Sequence, residues 1–334
     1  MKSSFDKFKS NRRGYYSLII FSIIFITCLF AEFVANDKPL IIKYKDQFYF
    51  PVFKIYSETT FGGNFETETD YKDPYIQKLI NQRGWIVFPL IPYSYSTINY
   101  GIDSPAPSAP SNDNLLGTDD NGRDVLARII YGLRISMLFG LILTIVSAAV
   151  GIVIGALQGY FGGLLDLLFQ RFMEIWSGLP MLFLLIILAS IIEPNFWSLL
   201  FIMLLFSWMS LVGMVRAEFL KVRNYDFVKA AKAIGAGDRR IIFKHILPNA
   251  LSSSIATLPF LLSSSIVTLT SLDFLGFGMP PESPSLGELL AQGKNNINAY
   301  WLGISGFTVV TVICCLLVFI GEAIRNIFDV RNNN

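Results

Sequence analysis

The sequence predicts an all-α polytopic membrane protein with six transmembrane helices. Hydrophobic residues make up 53% of its 334 residues, whereas charged residues make up only 16%, against about a quarter in soluble proteins. Long stretches carry no charge at all, as a bilayer requires, because a charge at its centre costs several kcal/mol. Six stretches reach the roughly 20 residues that span a bilayer. They lie at about 15–35, 135–157, 172–192, 196–216, 251–272 and 301–321.

The basic residues that flank these stretches predict an orientation, since Lys and Arg are enriched in cytoplasmic loops. Five precede the first span, seven lie in the 217–250 loop, and the 273–300 loop has only Lys294. Both termini and the 217–250 loop are therefore expected in the cytoplasm. The first span is expected to be an uncleaved anchor, because a signal-peptide core has only about 7–15 residues.

The spans divide the chain into five predicted regions. Three of them are short, namely the two tails and the first span, and the two larger ones are an external insert and a domain of five helices that includes the 217–250 loop. The regions are a cytoplasmic tail (1–14), the first span (15–35), the insert with its linker and an interfacial helix (36–134), the five-helix domain (135–322) and a second cytoplasmic tail (323–334).

Three elements are expected within the insert. Alternating residues near 43–50 predict a strand or hairpin, and three prolines make 104–114 an extended linker that tethers a small cap. The segment 117–136 then predicts a helix along the membrane surface. Asp120 or Asn121 would cap it, and Asp124 and Arg128 would pair across one turn.

The 217–250 loop predicts two short helices displayed on the cytoplasmic face. Asp226 can cap the first, Gly235 can end it in a left-handed turn, Asp238 can cap the second, and Pro248 marks the entry to the fifth span. The apolar side of the first helix would consist of Phe227, Ala230, Ala231 and Ile234. Two interpretations fit this pattern: a rigid element that receives force from a partner, or an amphipathic helix on the lipid headgroups.

The spacing of this loop resembles the EAA loop of bacterial ABC importer permeases, which reads Glu-Ala-Ala, three residues, Gly, nine residues, Ile-x-Leu-Pro. Ala230, Ala231, Gly235, Leu247 and Pro248 match that spacing. Lys229 replaces the Glu and His245 replaces the first Ile, and both departures are typical of the peptide-importer branch. The resemblance implies that an ATPase docks on this loop, with Asp226, Lys229 and Asp238 belonging to the same coupling site.

Further segments are similar to the second permease subunit of oligopeptide and dipeptide importers. They read GTDDNGRDVLARIIYGLRIS, GYFGGLLD and SLDFLGFGMPPESPSLGELLAQGKNN. The segments ANDKPL, FGGNF, GWIVFPL and WMSLVGMVRAEFLKVRNYDF narrow the resemblance to Yej-type permeases, which are associated with uptake of microcin C and peptides.

This resemblance implies the type I ABC importer permease fold in the bacterial inner membrane. It also implies a second homologous permease subunit, a cytoplasmic ABC ATPase and a periplasmic peptide-binding protein as partners. The cargo would be peptides, with microcin C-like peptide-nucleotides as one candidate.

Three features that suggest other chemistry lack residues or spacing that this chemistry requires. The segment 287–295 differs from a phosphate-binding loop in spacing and in its final residue, and Arg123 and Asp124 break a calcium-loop pattern that starts at Asp119. His245 has no partners for catalysis in the sequence around it. No catalytic residue, metal or cofactor is therefore expected, and ATP and Mg²⁺ would be bound by the partner ATPase. A net charge of +2 gives no reason to expect nucleic-acid binding.

Small and polar residues within the predicted spans indicate close contacts between helices and a candidate wall of the translocation path. Gly151, Gly155 and Gly159 recur every fourth residue, which favours close contact between helices. Thr257, Ser264, Thr268 and Ser271 share one face of the fifth span. That face either bonds to neighbouring helices or forms a weakly polar wall of the translocation path. Glu174 is expected to pair with Arg171 or to contact the neighbouring loop.

Three alternative functions are weighed against the peptide permease: a related ABC permease for other small solutes, an ion-coupled secondary transporter, and a membrane scaffold. A proton-coupled carrier should have several ionisable residues in mid-span, and these are nearly absent here. A scaffold gives no reason for a cytoplasmic element defined by Gly and Ala.

Overall fold

The computed structural model describes residues 4–102, 104–280 and 282–332, and the chain divides into two compact units. The first unit comprises 1–22, 137–280 and 310–334, and the second comprises 23–136 and 281–309. The predicted tails at 1–14 and 323–334 extend at their ends beyond the described residues.

Helices dominate the described residues. They are α1 (Ser4–Ser10), α2 (Arg12–Leu29), α3 (Ala31–Val34), α4 (Pro74–Asn81), α5 (Val125–Phe161), α6 (Gly163–Ser177), α7 (Met181–Ile191), α8 (Phe196–Ser207), α9 (Met209–Val222), α10 (Asp226–Ala233), α11 (Asp238–Arg240), α12 (Leu247–Phe274), α13 (Leu286–Asn295) and α14 (Tyr300–Asn332). The strands are β1 (Ile41–Tyr44), β2 (Gln47–Tyr49) and β3 (Gly84–Val87).

Five helical stretches in the described part of the chain are long and apolar enough to cross a membrane. They are Arg12–Leu29, Val125–Phe161, Phe196–Val222, Ser254–Phe274 and Tyr300–Phe328. The predicted polytopic helical architecture is confirmed. The predicted span at 172–192 is instead divided between α6 and α7, because Pro180 precedes α7 and lacks the N–H that would continue the helix.

Helix α5 begins well before the predicted second span. The expected surface helix at 117–136 forms no separate element, because its helical residues are the first turns of α5. The cap is Asp124, whose carboxylate accepts a hydrogen bond from the Ala127 backbone N–H at 2.7 Å. The predicted caps Asp120 and Asn121 were therefore wrong.

The predicted pair of Asp124 with Arg128 was also wrong. Asp124 Oδ2 accepts a hydrogen bond from the Asn114 side chain at 2.8 Å, so both carboxylate oxygens serve local groups. Arg128, which is fully buried, instead lies 2.5 Å from Glu288 and 3.4 Å from Asp119. A buried arginine requires such partners because the cost of desolvating its charge is otherwise uncompensated.

Around Arg128 the second unit is held by a small buried ion cluster. Arg123 lies 2.7 Å from Asp119 and 3.3 Å from Glu288, so the two arginines share two carboxylates. Glu288 belongs to α13, and the other three residues precede or begin α5. Burial raises the pKa of Glu288, whereas the charge of Arg128 opposes that rise. The cluster thereby fixes α13 to the start of α5.

The insert forms a three-stranded antiparallel sheet in the order β2-β1-β3. The hairpin predicted near 43–50 is confirmed as β1 and β2, with a turn in which Lys45 and Asp46 have positive φ. Ile76 and Ile80 of α4 pack with Ile42 in the core on one face of the sheet.

The predicted linker at 104–114 is packed within the second unit and does not hang as a free tether. The Ser108 backbone N–H donates to Thr118 Oγ1 at 2.8 Å, and Asn114 is nearly inaccessible to solvent. Bends at 104, 106–107 and 112–114 interrupt the extended chain that its three prolines predict, and hydrogen bonds to Thr118 and Asp124 hold the segment in place.

The glycine stripe of α5 packs against α9, as the sequence predicts. A methyl group built on Gly151, Gly155 or Gly159 would lie 2.6–2.8 Å from a backbone carbonyl oxygen at Trp208, Val212 or Arg216. Each contact is too short for any Cβ, so only glycine permits this approach of the two backbones. The spacing of four residues keeps the contacts on one face of α5.

We expect Gly155→Ala to lower the free energy of unfolding by about 1–3 kcal/mol relative to Gly213→Ala, because the added methyl overpacks the α5–α9 contact. Gly213 is the matched control, since a Cβ on this α9 residue would have no neighbour within 4 Å. The measurement is unfolding in mixed micelles followed by circular dichroism. Equal stability of the two variants would contradict the close-packing interpretation.

Candidate coupling site

Helix α10 is a short element with well-defined ends. Tyr225 is the extended residue before it, and Asp226 lies in the first turn, where its charge complements the helix dipole. The prediction that Asp226 supplies the cap was wrong, because Tyr225 occupies the N-cap position and Asp226 is the first residue of the helix. It lies instead 3.6 Å from Lys229 on the surface.

Gly235 ends α10 as the sequence predicts. Its φ is +84°, in the left-handed region. The Ala236 N–H donates to the Ala231 carbonyl at 3.0 Å, and the Gly235 N–H donates to the Lys232 carbonyl at 2.9 Å. These two bonds form a Schellman motif, which satisfies carbonyls that the end of the helix would leave free.

The predicted apolar side of α10 is divided between the interior and the surface. Val228 is fully buried, and Ala231 packs beside it against a cluster formed by α5, α9 and the start of α12. Phe227, Ala230 and Ile234 lie on the exposed side, and Ile234 is 87% exposed. The buried side anchors α10, and the exposed side leaves an unpartnered apolar surface.

That surface continues beyond the helix. Tyr225 and Phe227 are exposed with ring centroids 5.9 Å apart, and Phe243 is also exposed. Basic residues surround these aromatic rings in the sequence: Arg223, Lys229, Lys232, Arg239, Arg240 and Lys244. Exposed aromatic side chains within a charged rim are typical of protein interfaces.

Asp238 has a role that the sequence did not reveal. Gly237 is the residue before the second short helix, and the Asp238 carboxylate accepts a hydrogen bond from the Tyr160 hydroxyl at the end of α5. The predicted capping role of Asp238 was therefore wrong. The Lys232 ammonium lies 5.1 Å from the centroid of the same Tyr160 ring. Tyr160 therefore connects both sides of the Gly235 turn to α5.

Arg223 completes the attachment to α5. Its guanidinium donates to the carbonyls of Gly159 and Tyr160 at 3.1 and 3.2 Å. These are carbonyls of the last turn of α5, where a cation satisfies free acceptors and complements the dipole. Sequence reasoning missed Arg223 and Tyr160. The Gly162-Gly163 turn that ends α5 was the available signal, since it brings a helix end close to the loop.

Two surface ion pairs flank this region in the first unit. Arg216 of α9 binds Asp166 of α6 through two contacts of 2.6 and 2.7 Å. Arg171 and Glu174 lie 2.6 Å apart on α6, which confirms the pairing expected for Glu174. Both Arg171 and Glu174 are exposed, so their pair contributes little to stability.

The second short helix leads directly into α12. Residues Ile241–Ile246 form a π-helical stretch, and Pro248 lies in the first turn of α12, where a missing N–H is tolerated. Pro248 thus lies at the start of the fifth-span helix, and helical backbone continues through it. Leu247 packs on the same cluster as Ala231, and the His245 carbonyl accepts a hydrogen bond from Asn249 at 2.9 Å.

The polar residues of the fifth span bind mostly to their own helix. Thr268 donates to the Ser264 carbonyl and Ser271 to the Val267 carbonyl, each at 2.8 Å. Thr257 donates to the Met214 sulfur at 3.3 Å, a contact between α12 and α9. Ser264 and Ser271 are exposed on the surface of the chain.

Comparison with known proteins gives a consistent result. Residues 151–333 match the family described as the binding-protein-dependent transport system inner membrane component. The chain is 56% identical to the inner membrane ABC transporter permease protein YejE of Escherichia coli K12, over 97% of this chain and 95% of that protein. It is 53% identical to the peptidoglycan transport system permease protein YejE of Agrobacterium fabrum, over 99% and 93%. The dipeptide transport system permease protein DppC of Haemophilus influenzae is 37% identical, over 64% and 73%.

We expect Tyr160→Phe to loosen residues 226–246, here called the coupling element, while the long helices remain folded. Loss of the hydroxyl that bonds to Asp238 should cost about 1 kcal/mol, which corresponds to roughly fivefold faster backbone amide exchange in 226–246. Hydrogen–deuterium exchange in detergent measures this, with α8 as the internal reference. The matched control is Phe161→Leu at the neighbouring exposed ring, and unchanged exchange in Tyr160→Phe would contradict the attachment.

Proposed function

Because the chain belongs to the family of binding-protein-dependent transport system inner membrane components, we propose that it carries peptides across the inner membrane as one permease subunit of an ATP-driven importer. The observation that carries the proposal is the coupling element. It presents Phe227 and Ile234 outward, is fixed to α5 through Tyr160 and Arg223, and continues into the membrane helix α12. An element with these properties can receive a partner and transmit its movement.

In this proposal a cytoplasmic ABC ATPase docks on the exposed side of α10. The residues of the site are those of the EAA-like loop, namely Asp226, Lys229, Ala230, Ala231, Gly235, Asp238, Leu247 and Pro248. The ATPase binds ATP and Mg²⁺, and this chain hydrolyses nothing itself. Binding of ATP favours one conformation of the pore over the other through differential contacts with α10.

The remaining partners follow from the same family. A second, homologous permease subunit completes the pore, and a periplasmic binding protein delivers the peptide. Both termini and the 217–250 loop lie in the cytoplasm, as the basic residues of 1–14 and 217–250 favour. The insert at 36–134 lies in the periplasm. In this arrangement the predicted regions 15–35 and 135–322 form the membrane part.

The substrate class rests on the relatives. Their names assign dipeptide transport to the Haemophilus protein and peptidoglycan transport to the Agrobacterium protein. Dipeptides and the stems of peptidoglycan fragments both contain a peptide backbone. The peptide backbone is therefore the group that we propose the transporter recognises. A peptide-nucleotide of the microcin C kind is the narrower candidate. A related ABC permease for other small solutes is the alternative, and uptake assays with labelled peptides distinguish them.

The polar face of α12 is the proposed wall of the path. Thr257, Ser264, Thr268 and Ser271 offer weak donors and acceptors without a fixed charge, which suits peptide amides. The hydroxyls of Thr268 and Ser271 bond within their own helix, so neither is committed to a neighbouring helix. Exposed Ser264 and Ser271 are therefore accessible to cargo or to the second subunit.

We expect Ala230→Trp to abolish peptide uptake, because a bulky ring on the exposed side of α10 blocks close approach of the ATPase. Co-purification of the ATPase and uptake of labelled peptide are measured in membranes. Ala230→Ser is the matched control and should retain both, since it changes size little at an exposed position. Normal uptake by Ala230→Trp with the ATPase still bound would contradict the docking assignment.

Cysteine substitutions test the path separately. We expect cysteines at Thr257, Ser264, Thr268 and Ser271 to react with a water-soluble maleimide, and excess peptide to slow that reaction. Ile255→Cys is the control, because it is exposed on the opposite side of the same helix. Labelling that peptide does not slow at any of the four positions would favour a packing role for this face.

A further inference from the structure

One face of the insert's sheet carries apolar side chains around a central lysine and has no partner in the described residues. In the strand register Lys43 lies between Phe48 on β2 and Trp85 on β3, and Ile41 lies beside Val87. The rings of Phe48 and Trp85 are 6.4 Å apart, and both are largely exposed, as is Val87. The opposite face, with Ile42 and Tyr44, is the one that α4 covers.

The apolar surface continues in the chain directly after β2. Phe50, Phe53 and Ile55 are exposed within six residues, and Phe53 is 74% exposed. We call Phe48, Phe50, Phe53, Ile55, Trp85 and Val87 the aromatic patch. So many large apolar side chains exposed in one small element mark an interaction surface.

One lysine lies within the aromatic patch. Lys43 is between Phe48 and Trp85 in the strand register, and its ammonium lies 3.1 Å from the Asp46 carboxylate. The long stem of a lysine covers apolar area while its ammonium reaches outward, which suits a surface that is apolar below and anionic above.

The decisive observation is that the patch is continuous with an exposed apolar side of the first span. Ile23, Ile26, Phe30 and Phe33 are exposed at intervals of three or four residues, so they share one side of α2 and α3. Phe30 and Phe33 have ring centroids 6.2 Å apart, and Phe33 and Phe53 have centroids 5.7 Å apart. The rings therefore connect the exposed stripe of the first span to Phe53 of the patch.

We propose that the aromatic patch is seated in the headgroup region of the same bilayer that the first span crosses. Trp and Phe would occupy the boundary between headgroups and acyl chains, and the Lys43 ammonium would lie at the level of the lipid phosphates. The insert is then held against the membrane surface by its sheet. A protein partner on this surface would have to replace lipid next to Phe33, which makes lipid the occupant that the contacts favour.

The test uses the full chain in nanodiscs of phosphatidylcholine and phosphatidylglycerol. Nitroxide labels are attached to Phe53→Cys and Trp85→Cys after Cys28, Cys314 and Cys315 are replaced by Ala. Collision with oxygen, which partitions into lipid, is compared with collision with a water-soluble nickel chelate. Lys78→Cys is the matched control, because α4 covers the other face of the sheet and Lys78 is exposed on it.

We expect the labels at Phe53 and Trp85 to have an oxygen-to-nickel collision ratio several-fold higher than the label at Lys78. Ratios equal to that at Lys78 would overturn the proposal. Spin–spin broadening that grows with the number of chains per disc would indicate a second copy on the patch, and labels shielded only after a peptide-binding protein is added would indicate that partner. Either result would also overturn the proposal.

A second measurement keeps the native cysteines. Lipids brominated near the top of the acyl chain quench tryptophan fluorescence on contact. The quenchable signal lost in Trp85→Phe gives the contribution of Trp85, and we expect that contribution to be strongly quenched. A Trp85 signal that brominated lipid leaves unchanged would count against membrane seating, whichever peptide the transporter carries.

Discussion

The close contact between α5 and α9 determines the geometry of the first unit around the 217–250 loop. Gly151, Gly155 and Gly159 let two backbones meet where any side chain would collide with a carbonyl oxygen. That approach brings the last turn of α5 beside the end of α9. Arg223, which follows α9 directly, can then reach the carbonyls of Gly159 and Tyr160. A side chain in place of any of these glycines would push the two backbones apart and so strain these hydrogen bonds.

The coupling element depends on that junction, because α10 is too short to be stable alone. A helix of eight residues loses more in nucleation than its few hydrogen bonds recover. Its order comes from outside: Val228 in the core, the Gly235 turn, and contacts of Lys232 and Asp238 with Tyr160. The exposed side is consequently rigid before any partner arrives. A surface that is already ordered loses less entropy on binding than a flexible loop would.

Features set by local sequence could be predicted well. The apolar stretches, the glycine stripe, the hairpin near 43–50 and the left-handed Gly235 all depend on nearby residues. Some of the errors concern residues whose partners are distant in sequence. Asp238 was expected to cap its own helix, but it binds Tyr160, 78 residues away.

The positions at which helices begin and end were also difficult to predict from the sequence. Several acidic residues near 119–124 were suitable caps for α5. The Asp119 carboxylate is bound by Arg123, whereas Asp124, held by Asn114, is the residue that caps the helix. Pro180 could have divided the third span from sequence alone, but the apolar run on both sides concealed the break. The aromatic side chains of the insert were visible in the sequence, whereas their shared face depends on the register of β1 with both neighbours.

The uninterrupted helical path through Pro248 has a mechanical consequence. From Asp238 to Phe274 the backbone follows one rod of roughly 55 Å at 1.5 Å per residue. A rod that is pushed at one end acts as a lever, so a small tilt near Asp238 becomes a larger sideways displacement at the far end. Pro259 removes one hydrogen bond from the middle of the rod and is the natural place for it to flex. The wider π-helical turn at Ile241–Ile246 lies beside the point where the push would be applied. A change in the winding of this turn would rotate the polar face of α12 about the axis of the rod.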